Sequence, residues 1–189
     1  MEDLSLHILD VVENATAAGA TLIEIRIHED SRKDRMVITI KDNGQGMDGE
    51  MVTKVKDPFC TTRTTRRVGM GIPLLEQSAR EAGGSIEITS EPNVGTEVVA
   101  SFCASHIDRK PLGDIAATMV ALILGNPDVD FIYQRSIDGV TTDLDTREIK
   151  EQLDGVSITA PPVLNLIQDL LSATPEGEDL NGSDQTASS

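Results

Sequence analysis

The sequence predicts an α/β sandwich, a mixed sheet with helices on one face, followed by a small α+β section. Three observations carry this expectation. Four segments in the first 105 residues alternate apolar and polar side chains, the period of a half-buried strand. Helical patterns interrupt them in the order helix, strand, strand, glycine loop, helix, strand, strand, as an α/β layer arrangement requires. The chain of 189 residues, 39% of them hydrophobic, is also long enough to bury a core without disulfide or metal staples.

Each element has its own signal. Residues 4–18 place Leu4, Ile8, Val11 or Val12 and Ala15 at helical spacing, and Gly19 supplies a stop. Thr21–His28 and Arg35–Lys41 alternate as strands around a charged turn. A glycine-rich turn, Asp42–Met47, follows directly. Residues 48–68 mix a short helix with a Thr/Arg loop, and Gly69–Ala82 opens with Gly-x-Gly into a helix ended by Gly83-Gly84. Ser85–Ser90 and Thr96–Ala104 read as strands. Beyond them, Pro111–Leu124 reads as a helix and Asp130–Leu144 as a hairpin turning at Asp138-Gly139. Thr146–Leu153 reads as a short helix capped by Thr146 or Asp145, and a last helix runs from Pro161 to about Leu171. Residues 173–189 lack apolar periodicity and are expected to be disordered. The expected division is residues 1–105, residues 106–172 and the acidic tail 173–189.

Composition excludes several function classes. The formal net charge is −16, with no Trp, one Tyr and three Phe. That argues against nucleic acid as a partner, which needs a concentrated positive face or stacking aromatics. Cys60 and Cys103 fit no metal or redox spacing. The longest apolar run, Ile115–Leu124, is too short to span a membrane, and acidic residues follow Met1 at once. The expected location is therefore the cytoplasm. The charge is uneven: residues 1–105 carry −6 and residues 106–189 carry −10, yet residues 54–67 carry +4. This segment reads either as a solvated loop or as a phosphate-facing lid.

Three motifs carry chemistry. Asp10 and Asn14 lie one turn apart on one helix face. An amide oxygen there suits Mg²⁺ whose shell is completed by phosphates, and a carboxylate beside it could orient water. Asp42 ends a strand and runs into Gly44 and Gly46. The glycines allow close approach of a flat ligand, and the carboxylate can accept from an exocyclic amine. The alternative is a plain Asp-Asn-Gly turn. Gly69-Met70-Gly71 opens a helix just after the basic segment, a place where backbone N–H groups meet phosphate.

In this order the motifs resemble the GHKL ATPase superfamily of gyrase, a heat-shock chaperone, mismatch-repair ATPases and histidine kinases. The stretch DVVENATAAGATLIEI looks like its N box and KDNGQGM like its first glycine box. DPFCTTR with VGMGIPLLEQ resembles the F box and second glycine box of histidine kinases, and SEPNVGTEVVASF the closing Gly-Thr box. The resemblance implies a Bergerat-type ATP-binding fold over about residues 4–104, with ATP and Mg²⁺ as cofactors. It implies Mg²⁺ on Asn14, the adenine amine on Asp42 with Thr96 assisting through water, and room for the base at Gly44, Gly46 and Met47. It implies phosphate contacts from Arg63 and from Gly69, Met70 and Gly71. Asp10 stands where hydrolysing members keep a catalytic Glu, as a general base of shorter reach. Ala17 stands where many relatives carry a charge.

The expected activity is that of an ATP-dependent protein kinase or weak ATPase, regulatory in role, acting on an unidentified protein partner. A homodimer is compatible with that reading. Residues 105–115 also resemble the acceptor box of histidine kinases, which makes His106 a candidate phospho-acceptor. The alternative is that His106 caps the helix expected from residue 111. His7 reads as ordinary helix surface or core. The chain as a whole is similar to stand-alone members encoded beside iron-hydrogenase genes in anaerobic bacteria, which implies a regulatory or redox-linked role. Competing readings are an anti-sigma-like switch or Ser/Thr kinase, and an ATP-binding scaffold with slow turnover.

Overall fold

The computed structural model describes residues 3–57 and 70–173. In chain order the elements are α1 (Leu4–Ala17), β1 (Leu22–Asp30), β2 (Arg35–Asp42), α2 (Gly49–Val55), α3 (Gly71–Glu81), β3 (Ser85–Glu91) and β4 (Gly95–Cys103). They continue with α4 (Ile115–Gly125), β5 (Asp130–Ile137), β6 (Val140–Asp145), α5 (Thr146–Gln152) and α6 (Pro161–Ser172). The six strands form one mixed sheet in the order β3-β4-β2-β1-β5-β6, with β5 parallel to β1 and every other pair antiparallel.

Register gathers the apolar side chains on one face. Ile25 lies opposite Ile40 on one side and Tyr133 on the other, and Ile38 lies between Ile27 and Ala100. All six are buried. Full burial of each large apolar side chain is worth about 1.5–3 kcal/mol over exposure. The reverse face carries Arg26, His28 and Lys41, all exposed. Helix α1 packs against α3 and α4, and α4 against α6, in a layer over the apolar face. The α/β sandwich is thus the observed architecture.

The sheet runs across residue 105. β5 pairs with β1 over eight residues from Leu22↔Asp130 to Glu29↔Ile137, and Phe131, Tyr133, Met119 and Ile123 join the same buried cluster as Ile8 and Ile25. The hairpin tips are clasped as well, since the Asp138 carboxylate accepts from the Ser31 amide and hydroxyl, both at 2.7 Å. The residues after 105 complete the core of those before it.

One expectation is corrected: α4 starts at Ile115 and not at Pro111. The carbonyls of Pro111 and Leu112 accept the Leu4 and Ser5 N–H groups at 2.9 and 2.8 Å, closing the first turn of α1. Gly113 then takes φ +83°, outside the helical region, and Asp114 caps α4 by accepting from Ala117 N at 2.9 Å. At α5 the cap is Asp145, whereas the Thr146 hydroxyl is buried and accepts from Phe131 N at 2.8 Å. The hairpin turn at Asp138-Gly139 has positive φ at both residues, as a type I′ turn requires.

Candidate functional site

Between α1, α2 and the β2–β4 end of the sheet lies a cavity of about 290 Å³. Its walls are mostly apolar: Val11, Ile40, Met51, Val55, Ile72 and Val98. Ala15, Ala17 and Ala18 keep the α1 wall shallow. Among the described residues, four polar side chains reach it: Asn14, Asp42, Gln45 and Thr96. An apolar slot with few polar groups at one end suits a flat, partly polar ligand.

The polar end is built by the sheet. Asp42 of β2 lies opposite Thr96 of β4, and Thr96 lies opposite Ser90 of β3. Asp42 Oδ1 accepts from Gly44 N at 2.8 Å. Burial pushes its carboxyl above the ordinary carboxylate range, while the Gly44 and Thr96 amides pull it back. The carboxylate lines the cavity, where it can accept a ligand N–H. Behind it, Thr96 Oγ1 lies 2.8 Å from Ser90 Oγ, which also accepts from Met47 N at 2.8 Å and donates to Gly95 O at 3.0 Å.

The loop after Asp42 is pinned on both sides. Asn43 Oδ1 accepts the Thr21 and Leu22 amides at 2.9 and 3.0 Å. Gln45 N donates to Ala18 O at 3.0 Å, and Asn93 N donates to Gln45 O at 2.7 Å. Gly46, at φ +65°, passes so close to Glu91 that a Cβ there would collide with its carbonyl. These bonds hold the loop against the end of α1, so Asp42, Gly46 and Met47 face one cavity.

On α1, Asn14 lines the cavity and Asp10, one turn earlier, does not. Asp10 instead abuts the start of α3, where a Cβ on Gly71 would lie 2.7 Å from Asp10 Cβ. Gly71 therefore allows the start of α3 to rest on α1 beside the cavity. Met70 occupies the N-cap position of α3 without a side-chain cap bond and is 48% exposed.

The sequence-derived residues thus converge in part. Asn14, Asp42, Gly46, Met47 and Thr96 line one cavity, with Gly44, Asp10, Met70 and Gly71 at its margins. Arg63, Gly69 and most of the basic segment lie outside the described residues, as does the tail after residue 173. His106 does not cap α4. It sits in the turn after β4, with Nδ1 accepting from Asp108 N at 3.1 Å and its ring against Gly83 at the far end of α3 from Gly71. The length of α3 separates them by about 15 Å at 1.5 Å per residue. His7 is buried between α1 and α3, 3.3 Å from Ser78 Oγ and 3.4 Å from Lys110 Nζ.

Sequence reasoning missed Ser90, Gln45 and the apolar walls. Strand alternation could have placed Val98 beside Ile40. Ser90 becomes visible only through its register with Thr96.

Residues 2–106 match the family described as histidine kinase-, DNA gyrase B-, and HSP90-like ATPase. The sensor protein kinase FleS of Pseudomonas aeruginosa is 34% identical over 108 residues, 57% of this chain and 26% of its own length. The sensor histidine kinase YxdK of Bacillus subtilis is 31% identical over 106 residues, 52% of this chain and 32% of its own. The chain thus spans a quarter to a third of the length of these relatives. The MutL ATPase domain of Aquifex aeolicus, solved with ADP, aligns with 76% of this chain and 62% of its own at 22% identity and a TM-score of 0.48.

Proposed function

The chain belongs to the family of histidine kinase-, DNA gyrase B-, and HSP90-like ATPases, and on that premise we propose that it binds Mg-ATP in the α1–sheet cavity and acts as a regulatory module of histidine-kinase type. The observation that carries this reading is the Asp42–Thr96 pair at the polar end of an apolar slot. An adenine amine can donate to Asp42 while the apolar walls take the ring faces, and the phosphates then lie toward α3. Backbone N–H groups at the start of that helix stabilise anionic oxygens.

The donor set suits Mg²⁺ that arrives with the phosphates. Among the described residues no three His, Cys, Asp or Glu side chains could hold a metal together. Asn14, with Asp10 one turn away, offers the sparse oxygen set that Mg²⁺ accepts when phosphates and waters fill its shell. When bound, the ion would offset phosphate charge.

Two uses of the nucleotide follow from the same site. One is phosphate transfer to a protein. His106 is supported as acceptor only between two molecules, because it sits at the far end of α3. The other is a conformational switch with slow turnover. It is supported by Asp10, which is short and does not line the cavity, so its reach to a water is poor. Calorimetry with ATP, with and without Mg²⁺, tests the site, and Asn14→Ala should remove the Mg²⁺ dependence. Incubation with γ-labelled ATP separates the uses. Acid-labile label lost in His106→Ala identifies histidine transfer, and acid-stable label points to a Ser/Thr kinase. Bound ATP without label supports the switch, and absence of ATP binding overturns the reading.

A further inference from the structure

At the cavity's polar end either hydroxyl of the Ser90–Thr96 pair can donate to the other, and one arrangement satisfies every neighbour. Ser90 Oγ has one proton and two lone pairs. One lone pair takes the Met47 N–H at 2.8 Å. The Gly95 carbonyl, which can only accept, lies 3.0 Å away and takes the single proton. With the Ser90 proton on Gly95, the remaining contact, Thr96 Oγ1 at 2.8 Å, is made by the Thr96 proton pointing at Ser90. Thr96 has no proton left for the cavity.

We propose that Ser90 is a positioning residue for base selection: by taking the Thr96 proton it makes the Asp42–Thr96 end of the cavity accept only. An ionised carboxylate and a hydroxyl oxygen stripped of its donor then stand side by side on adjacent strands. A ligand group at position 6 of a purine placed there must donate. A 6-aminopurine does so through its exocyclic amine. A 6-oxopurine keeps only its N1–H as a donor on that edge and turns its carbonyl toward the two acceptors. Without the Ser90 hydroxyl, the Thr96 proton is released and can turn toward the oxo group. The inference rests on the ATP reading above and adds to it the residue that excludes hypoxanthine and guanine.

The test compares ATP with inosine triphosphate, which differs from it only at the base edge, by calorimetry on the full chain. Ser90→Ala should lower the ratio of inosine triphosphate Kd to ATP Kd about tenfold, the scale of one hydrogen bond gained, chiefly by improving inosine triphosphate. Ser90→Thr, which keeps the hydroxyl, should restore the ratio. Thr96→Val should lower the ratio by itself, and in that background Ser90→Ala should change nothing further. A general loosening of the hairpin would weaken both nucleotides alike and leave the ratio untouched. An unchanged ratio in Ser90→Ala, or an equal fall in the Thr96→Val background, overturns the proposal. If Ser90→Ala does not fold, an unchanged ratio in Thr96→Val overturns it. Failure of the unmodified chain to bind ATP would remove the function reading, and this inference with it. ATP binding with unaltered selectivity removes this inference alone.

Discussion

Asp42 and Thr96 are cross-strand partners at the last rung of the β2–β4 ladder, so a buried carboxylate and a hydroxyl share one end of a single cavity. The Asp42 carboxylate accepts from Gly44 N at 2.8 Å. Asp42→Asn keeps that contact and the side-chain volume but loses the acceptor offered to the ligand. We expect ATP affinity to fall by about 1–3 kcal/mol, measured by calorimetry. The melting temperature of the nucleotide-free protein should hold or rise, since a buried charge is removed.

The same carboxyl predicts a pH dependence. Burial raises the folded-state pKa of Asp42 above its ordinary value of 3.8. The folded state then holds the proton more tightly than the unfolded chain, so this group favours folding at low pH and the benefit is lost as pH rises through the raised value. A donating ligand prefers the ionised form, so ATP affinity should fall as pH drops through that value from above. Asp30, Asp34, Asp138 and Asp145 all have lowered values and titrate below this window. ATP titrations at stepwise lower pH should therefore weaken more steeply for the unmodified chain than for Asp42→Asn. Parallel curves would contradict the assignment.

Gly71→Ala tests the junction of α1 and α3. Its new methyl would stand 2.7 Å from Asp10 Cβ and 2.9 Å from Val11 N, and backbone cannot swing aside as a side chain can. The start of α3 must retreat from α1. The expected cost is about 1–3 kcal/mol, the range for overpacking a tight contact. It should appear in urea unfolding together with weaker ATP binding.

Truncation after residue 105 tests whether the last two strands belong to the same core. It would remove β5 from β1 and strip Phe131 and Tyr133 from beside Ile23 and Ile25. It would also delete the Pro111 and Leu112 carbonyls that accept from the start of α1. We expect the shortened chain to lose its cooperative thermal transition by circular dichroism. A sharp transition near that of the full chain would show that residues 1–105 fold alone.

Much of the site was legible because its parts are local signals. Asp42 with Gly44 and Gly46 is a strand end followed by a tight loop. Asn14 sits in an amphipathic helix stopped by Gly19, and Gly71 opens a helix after Gly69-Met70. Ser90 was not legible, because a serine near a turn has no local mark. Its role arises from a register that pairs it with Thr96 and from a loop that brings the Met47 amide to it. The start of α4 was misplaced for a similar reason. Pro111 and Leu112 have helix-like surroundings in sequence, yet their carbonyls are committed to α1 more than a hundred residues away.

Periodicity, glycine placement and motif order alone determined the strands, the bodies of the helices, the family resemblance and a part of the residues around the cavity, since these depend on neighbours a few positions apart. The tertiary structure decided the rest. It joined β5 and β6 to the first four strands in one sheet, placed His106 at the far end of α3, and set Asp10 against the start of α3. Those outcomes depend on pairing and packing between segments remote in sequence, where closing the chain and burying the apolar face of β1 select the partner.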